Sequence, residues 1–180
     1  VVTDEFTYDG EDKTPEPVVT YKGTTLVKDR DYKIAYYTDN INATTAKKKA
    51  SVTISGLNSF TGSKTIQFDI APKSIDTLNI SISDAVYNTA NNIAMAVVPT
   101  VKITDPVLGT TLSTGDGDYF LDFSEYRTEK NYNVGEHSFK LTMYNNYTGS
   151  KICTFNTVAT SIAPAVITVE PVEYTGAEVK

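Results

Sequence analysis

At 180 residues, with 16 basic against 22 acidic side chains and a net charge of −6, the chain has room for one large or two small domains. It carries no electrostatic footprint for nucleic acid or an anionic membrane surface. A single cysteine, Cys153, excludes an intramolecular disulfide or a zinc cluster, and no apolar run is long enough to span a bilayer as a helix.

In chain order, the first ten residues end on an aromatic and turn signature, Tyr8-Asp9-Gly10. Val18 to Tyr21 is rich in β-branched residues, and Pro15 and Pro17 suit the start or edge of a strand. Tyr32 to Tyr37 and Ala50 to Ser55 alternate in the two-residue period of a half-buried strand. Asn58 to Ile70, NSFTGSKTIQFDI, is a Thr-Gly turn running into a third such strand, with Ile66, Phe68 and Ile70 on one face.

Ile70-Ala71-Pro72 closes this set, and Ile75 to Tyr87 reads as a long strand with Leu78, Ile80 and Ile82 on one face. Ala85 to Val98 is the nearest approach to a helix, yet it is rich in Asn and Thr and has no caps. From there the earlier pattern returns. Asn145 to Thr157, NNYTGSKICTFNT, repeats Asn58 to Ile70 at an offset of 87 residues, and that register runs without a gap from Asp31-Tyr32 against Asp118-Tyr119. Further on, Ile162-Ala163-Pro164 echoes Ile70-Ala71-Pro72 and leads to Tyr174-Thr175-Gly176.

A repeat of many short strands predicts an all-β chain. The expected organisation is a first module over 1–72, a second over 73–160, and a linker with the opening strand of a third over 161–180, as though excised from something longer. The expected cores are Ile34, Tyr36, Val52, Ile54, Ile66 and Phe68, and Leu121, Phe123, Phe139, Leu141, Cys153 and Phe155. The strand carried by 166–180 lacks partners, which predicts a mobile tail or one paired with an edge of another copy.

Taken together, Tyr8 and Gly10, Gly23 and Leu26, Asp31, Tyr32 and Tyr36, Val52 and Ile54, Asn58, Phe60, Thr61 and Gly62, and Phe68 with Ile70 resemble the tandem bacterial Ig-like repeat modules of large Gram-positive cell-surface proteins. The resemblance implies two tandem Ig-like β-sandwich modules acting as non-catalytic stalk or spacer repeats outside a bacterial cell, at its surface or wall. The implied partners are neighbouring modules of the same chain, with an otherwise monomeric protein. Small β-grasp-like modules are the alternative fold and would require a helix across Ala85 to Val98. Binding of a host glycan or mucin, as in an adhesin, is the alternative function.

Little in the chain supports catalysis. His137, the only histidine, aligns with Ala50 at a strand start, and Cys153 aligns with Ile66 as a small buried apolar residue. Asp31 and Asp118 each precede a strand-opening tyrosine, which suits a carboxylate bonded to turn amides. Asp116 and Asp118 are the weak metal candidates, with calcium the only cofactor that suits them. Among twelve tyrosines, Tyr37, Tyr126, Tyr132 and Tyr144 are the candidate exposed rings for stacking a sugar. Lys47, Lys48 and Lys49 read as a solvated loop. A covalent Lys-to-Asn or Lys-to-Asp bond would need an inward lysine, and Lys33, Lys140 and Lys151 read as outward.

Overall fold

The computed structural model describes residues 5–87, 97–128 and 134–168. The chain is all-β, and its described residues form sixteen strands in order: β1 Phe6–Thr7, β2 Thr20–Tyr21, β3 Thr24–Thr25, β4 Tyr32–Thr38, β5 Ala50–Gly56, β6 Ser63–Phe68, β7 Ile70–Ala71, β8 Lys73–Ser74, β9 Asn79–Ile82, β10 Ala85–Val86, β11 Val101–Asp105, β12 Thr110–Thr111, β13 Tyr119–Asp122, β14 Gly135–Met143, β15 Tyr147–Thr148 and β16 Ser150–Val158. A 3-10 turn occupies Ile75–Thr77, and one short helix, α1, spans Ser124–Thr128.

The two copies of the sequence repeat build the same pairings. In the first, β4, β5 and β6 form an antiparallel sheet; in the second, β13, β14 and β16 do the same. In each copy an early short strand lies parallel to a closing one: Phe6 of β1 opposite Ile70 of β7, and Ala85 of β10 opposite Thr157 of β16. The amides of Tyr8 and Tyr87 then donate to the carbonyls of Ala71 and Val158, both at 2.9 Å. The hairpin β2–β3 corresponds to β11–β12, with the connection lengthened at Pro106 to Gly109.

The repeated turn is built alike as well. Asn58 and Asn145 both take positive φ, and their side-chain amides donate to the carbonyls of Arg30 and Gly117 at 2.7 and 3.0 Å. The short polar side chain of Asn tolerates that backbone and bonds locally, so it is a natural choice there.

The core departs from simple alternation in the first copy. Ile34 and Tyr36 were expected inward, but the β4–β5 register shifts between them. The extra residue of this bulge flips the sides of the strand. Tyr36 is therefore 58% exposed and Tyr37 turns in against Ala50, Phe68 and Ile70. Val52, Ile54 and Phe68 are buried as expected, while Ile34 and Ile66 are only half-buried.

The second copy holds the larger core. Phe123, Phe139, Leu141, Cys153 and Phe155 are buried within it, and Leu121 packs against it half-buried. Ile75 and Leu78 from the linker complete this cluster, and Tyr8 packs against both cores.

One expectation about the linker needs correction. The predicted long strand from Ile75 to Tyr87 is interrupted, because the Ser74 hydroxyl accepts from the amide of Asp76 and opens the 3-10 turn before β9 begins. The candidate helix over Ala85 to Val98 starts as strand β10, and its stretch 88–96 lies outside the described residues.

Candidate functional site

The most developed polar arrangement lies where the two copies meet, and it begins with the proline-bearing linker. Pro72 cannot donate to a ladder, so strand β7 stops there and the chain restarts one residue later as β8. Strand β8 lies parallel to β15, with Lys73 opposite Tyr147 and Ser74 opposite Thr148. This register turns the Lys73 side chain inward.

Its ammonium donates to both carboxylate oxygens of Asp105, each at 2.7 Å. Asp105 ends β11 and is 0% exposed. Its Oδ1 also accepts the amides of Val107 and Leu108 at 2.9 and 3.2 Å, and its Oδ2 accepts the Tyr147 hydroxyl at 3.4 Å. Burial raises the Asp105 pKa, but the Lys73 ammonium and the two loop amides outweigh it and hold the carboxyl below the usual aspartate range. Burial and the Asp105 charge push the Tyr147 hydroxyl the other way, well above an ordinary tyrosine.

Around this pair the first copy is fastened to the second. The ring of Tyr8 meets that of Tyr147 edge to face at 5.7 Å. Leu108 packs so closely on Gly10 that a Cβ there would lie 2.9 Å from its Cδ2. Asn146 bridges the copies with both ends of its side chain, its Oδ1 accepting from the Ala43 amide and its Nδ2 donating to Asn42 Oδ1, each at 2.9 Å. Its backbone carbonyl accepts the Lys73 amide, also at 2.9 Å.

No family model, curated protein or solved structure matches this chain. The cluster of Lys73, Asp105, Tyr147 and Asn146 has its polar atoms turned toward one another, which suits a joint better than a ligand-facing site.

Among the described residues, those singled out in the sequence do not assemble elsewhere. Asp118 Oδ2 accepts the Ser113 amide at 3.0 Å, as Asp31 Oδ2 accepts that of Val27 at 2.8 Å, so the shared aspartate is a turn residue in both copies. Hydrogen bonds from Arg30 and then from the Val27 amide lower the Asp31 pKa. Asp116 is exposed, and its backbone carbonyl, rather than its carboxylate, meets Asn145. Among the described residues no three His, Cys, Asp or Glu side chains gather to hold a metal ion.

Of the four tyrosines, Tyr144 is 49% exposed, whereas Tyr37 is half-buried and donates its hydroxyl to the Pro15 carbonyl at 3.1 Å. Tyr126, expected as an exposed ring, is only 3% exposed: α1 turns it against Phe155 and His137 at 5.4 and 4.7 Å between centroids. Tyr132 lies outside the described residues. Lys48 pairs with Asp39 and Lys49 with Asp69, so two members of the lysine run serve their own loop and strand. Lys33, Lys140 and Lys151 point outward as expected; the buried lysines among the described residues are Lys13, paired with Asp9, and Lys73. The sequence signal that could have found Lys73 is a Lys directly after a linker proline, opposite an Asp-Pro that ends a strand.

Proposed function

We propose that this chain is a non-catalytic structural stalk, formed by two tandem Ig-like β-sandwich modules over 1–72 and 73–160, with 161–180 opening a third. In this reading it spaces other parts of an extracellular bacterial surface protein, and its partners are the neighbouring modules. The observation that carries the reading is the joint. A spacer must resist bending between units: Tyr8 against Tyr147, Leu108 against Gly10 and the Asn146 side chain bonded to Asn42 and Ala43 hold across the boundary, while β8 and the Lys73–Asp105 pair fix the end of the linker to the second copy.

Small-angle scattering tests this directly. A rigid stalk gives an elongated profile that is unchanged by moderate salt, and a profile that fits only a broad ensemble of inter-module angles would overturn it. The adhesin alternative draws on Tyr21, Tyr36 and Tyr144, whose rings are exposed on the surface. A glycan and mucin array separates the two: the spacer gives a clean array, whereas an adhesin gives binding that is lost when these tyrosines are replaced.

A further inference from the structure

Strand β15 of the second copy is covered by β8, but its counterpart in the first copy, Phe60-Thr61, pairs with none of the described strands. The consequence is visible at the glycine that follows. A Cβ built on Gly149 would lie 2.7 Å from Ile75 Cγ2, whereas one built on Gly62 would meet nothing within 4 Å. In place of the covering strand the first copy has a groove of about 280 Å³ lined by Leu26, Tyr32, Ile54, Phe60, Thr61 and Gly62. Four of these are the register partners of Leu112, Tyr119, Leu141 and Tyr147, which share one buried cluster with Ile75 and Leu78 in the second copy.

The tail presents what such a groove would take. Hydrogen bonds align Ser161-Ile162 with Ser74-Ile75, which corrects the Ile-Ala-Pro echo expected from the sequence. The Ser161 hydroxyl accepts the Ala163 amide at 3.2 Å, just as Ser74 accepts that of Asp76 at 3.2 Å. The Ala165 amide donates to the Ile162 carbonyl at 2.8 Å, matching Leu78 to Ile75 at 3.1 Å. The offset between these pairs is again 87. The turn from Ser161 to Ala165 thus repeats two hydrogen bonds of the docked linker, so less ordering entropy remains to be lost there on binding. Yet Ile75 is 5% exposed in its site and Ile162 is 85% exposed.

We infer that the Phe60-Thr61 groove is a docking site for the Thr160 to Thr168 segment of a second copy of this chain. Thr160-Ser161 adds as a parallel strand to Phe60-Thr61, and Ile162 seats over Gly62. Charge supports this occupant over the linker sequence itself. Lys73 has Asp105 waiting for it, but the hairpin position of Asp105 is Tyr21 in the first copy, and the tail matches it with the uncharged Thr160. Such a contact joins unlike surfaces, so it propagates head to tail rather than closing as a two-fold dimer. Two residues of strand pairing and one isoleucine hold weakly, so the chain stays monomeric when dilute. The inference goes beyond the spacer reading, and the groove and tail can associate whether or not the chain is a stalk.

The test is a titration of the isotopically labelled full chain with a synthetic peptide of residues 158–168, VATSIAPAVIT, followed by amide chemical shifts. The expected shifts centre on Phe60, Thr61, Gly62 and Leu26. The peptide carrying Ile162→Asp should bind about tenfold more weakly or worse, and the 71–81 peptide, which brings an unpaired Lys73, should also be weaker. Absent shifts, or shifts centred elsewhere, overturn the assignment. In sedimentation at millimolar concentration the full chain should associate and Ile162→Asp should not. That substitution sits on an exposed side chain, so loss of folding does not confuse the result. Association that survives it would place the contact on another surface and overturn the proposal.

Discussion

Lys73 and Asp105, 32 positions apart in sequence, meet through both carboxylate oxygens at 2.7 Å in the joint between the two copies. Breaking one side of a buried pair strands the other charge, which costs about 3–5 kcal/mol. Lys73→Met and Asp105→Ala should each lower the unfolding free energy of the second copy by that order, measured by urea denaturation. The double replacement should recover much of the loss. The pair should also remain ionic, because an ionised carboxylate is a poor electrophile for an ammonium. Intact mass should therefore equal the sequence mass, and the loss of one water would show an amide instead.

The same pair sets an acid limit. The Asp105 pKa is depressed in the folded state, so its contribution is fully present above the unfolded value of about 3.9 and is lost as pH falls below it toward the folded value. Chemical denaturation between about pH 5 and pH 2 should show stability falling in this window. Asp105→Asn should flatten that part of the profile.

Thr157 Oγ1 is buried with no hydrogen-bond partner among the described residues, and the register partner of Thr157 in the first copy is Ile70, a fully buried apolar residue. A buried hydroxyl left unpaired costs about 1–3 kcal/mol. Thr157→Val keeps the shape and removes the hydroxyl, so it should stabilise the second copy by about 1 kcal/mol, seen as a raised Tm.

The Cys153 thiol is buried, and burial pushes its pKa up. A thiol that is both protonated and covered reacts slowly. Labelling by a disulfide reagent should be slow in the native chain and complete in denaturant, and the labelling rate should report opening of the second copy. Fast native labelling would contradict this packing.

Gly62 and Gly149 share a positive φ but not their surroundings. Gly62→Ala should incur backbone strain alone, about 1 kcal/mol. Gly149→Ala adds a collision with Ile75 and should cost roughly 1–3 kcal/mol more by overpacking. Equal losses in the two variants would mean that Ile75 does not hold its place over β15.

Much of this architecture was legible in the chain itself. Alternation is a local property of a strand, so Val52, Ile54, Phe139, Leu141 and Phe155 could be placed inward from the pattern alone, and the repeated Asn-x-aromatic-Thr-Gly fixed the turn before each final strand. The inward turn of Tyr37 was not legible, because a bulge depends on how β4 meets β5 across the sheet. Tyr126 was missed because a single helical turn, α1, interrupts the strand period and carries the ring into the core.

Composition, the 87-residue register and the two-residue period together determined the all-β class and the turns, since each depends on neighbours a few residues apart. Tertiary structure alone decided the joint and the groove. Lys73 finds Asp105, Asn146 finds Asn42 and Ala43, and Ile75 covers Gly149 only after distant strands are laid side by side. The burial that makes such pairings count arises from packing across the fold, which no local stretch of residues encodes.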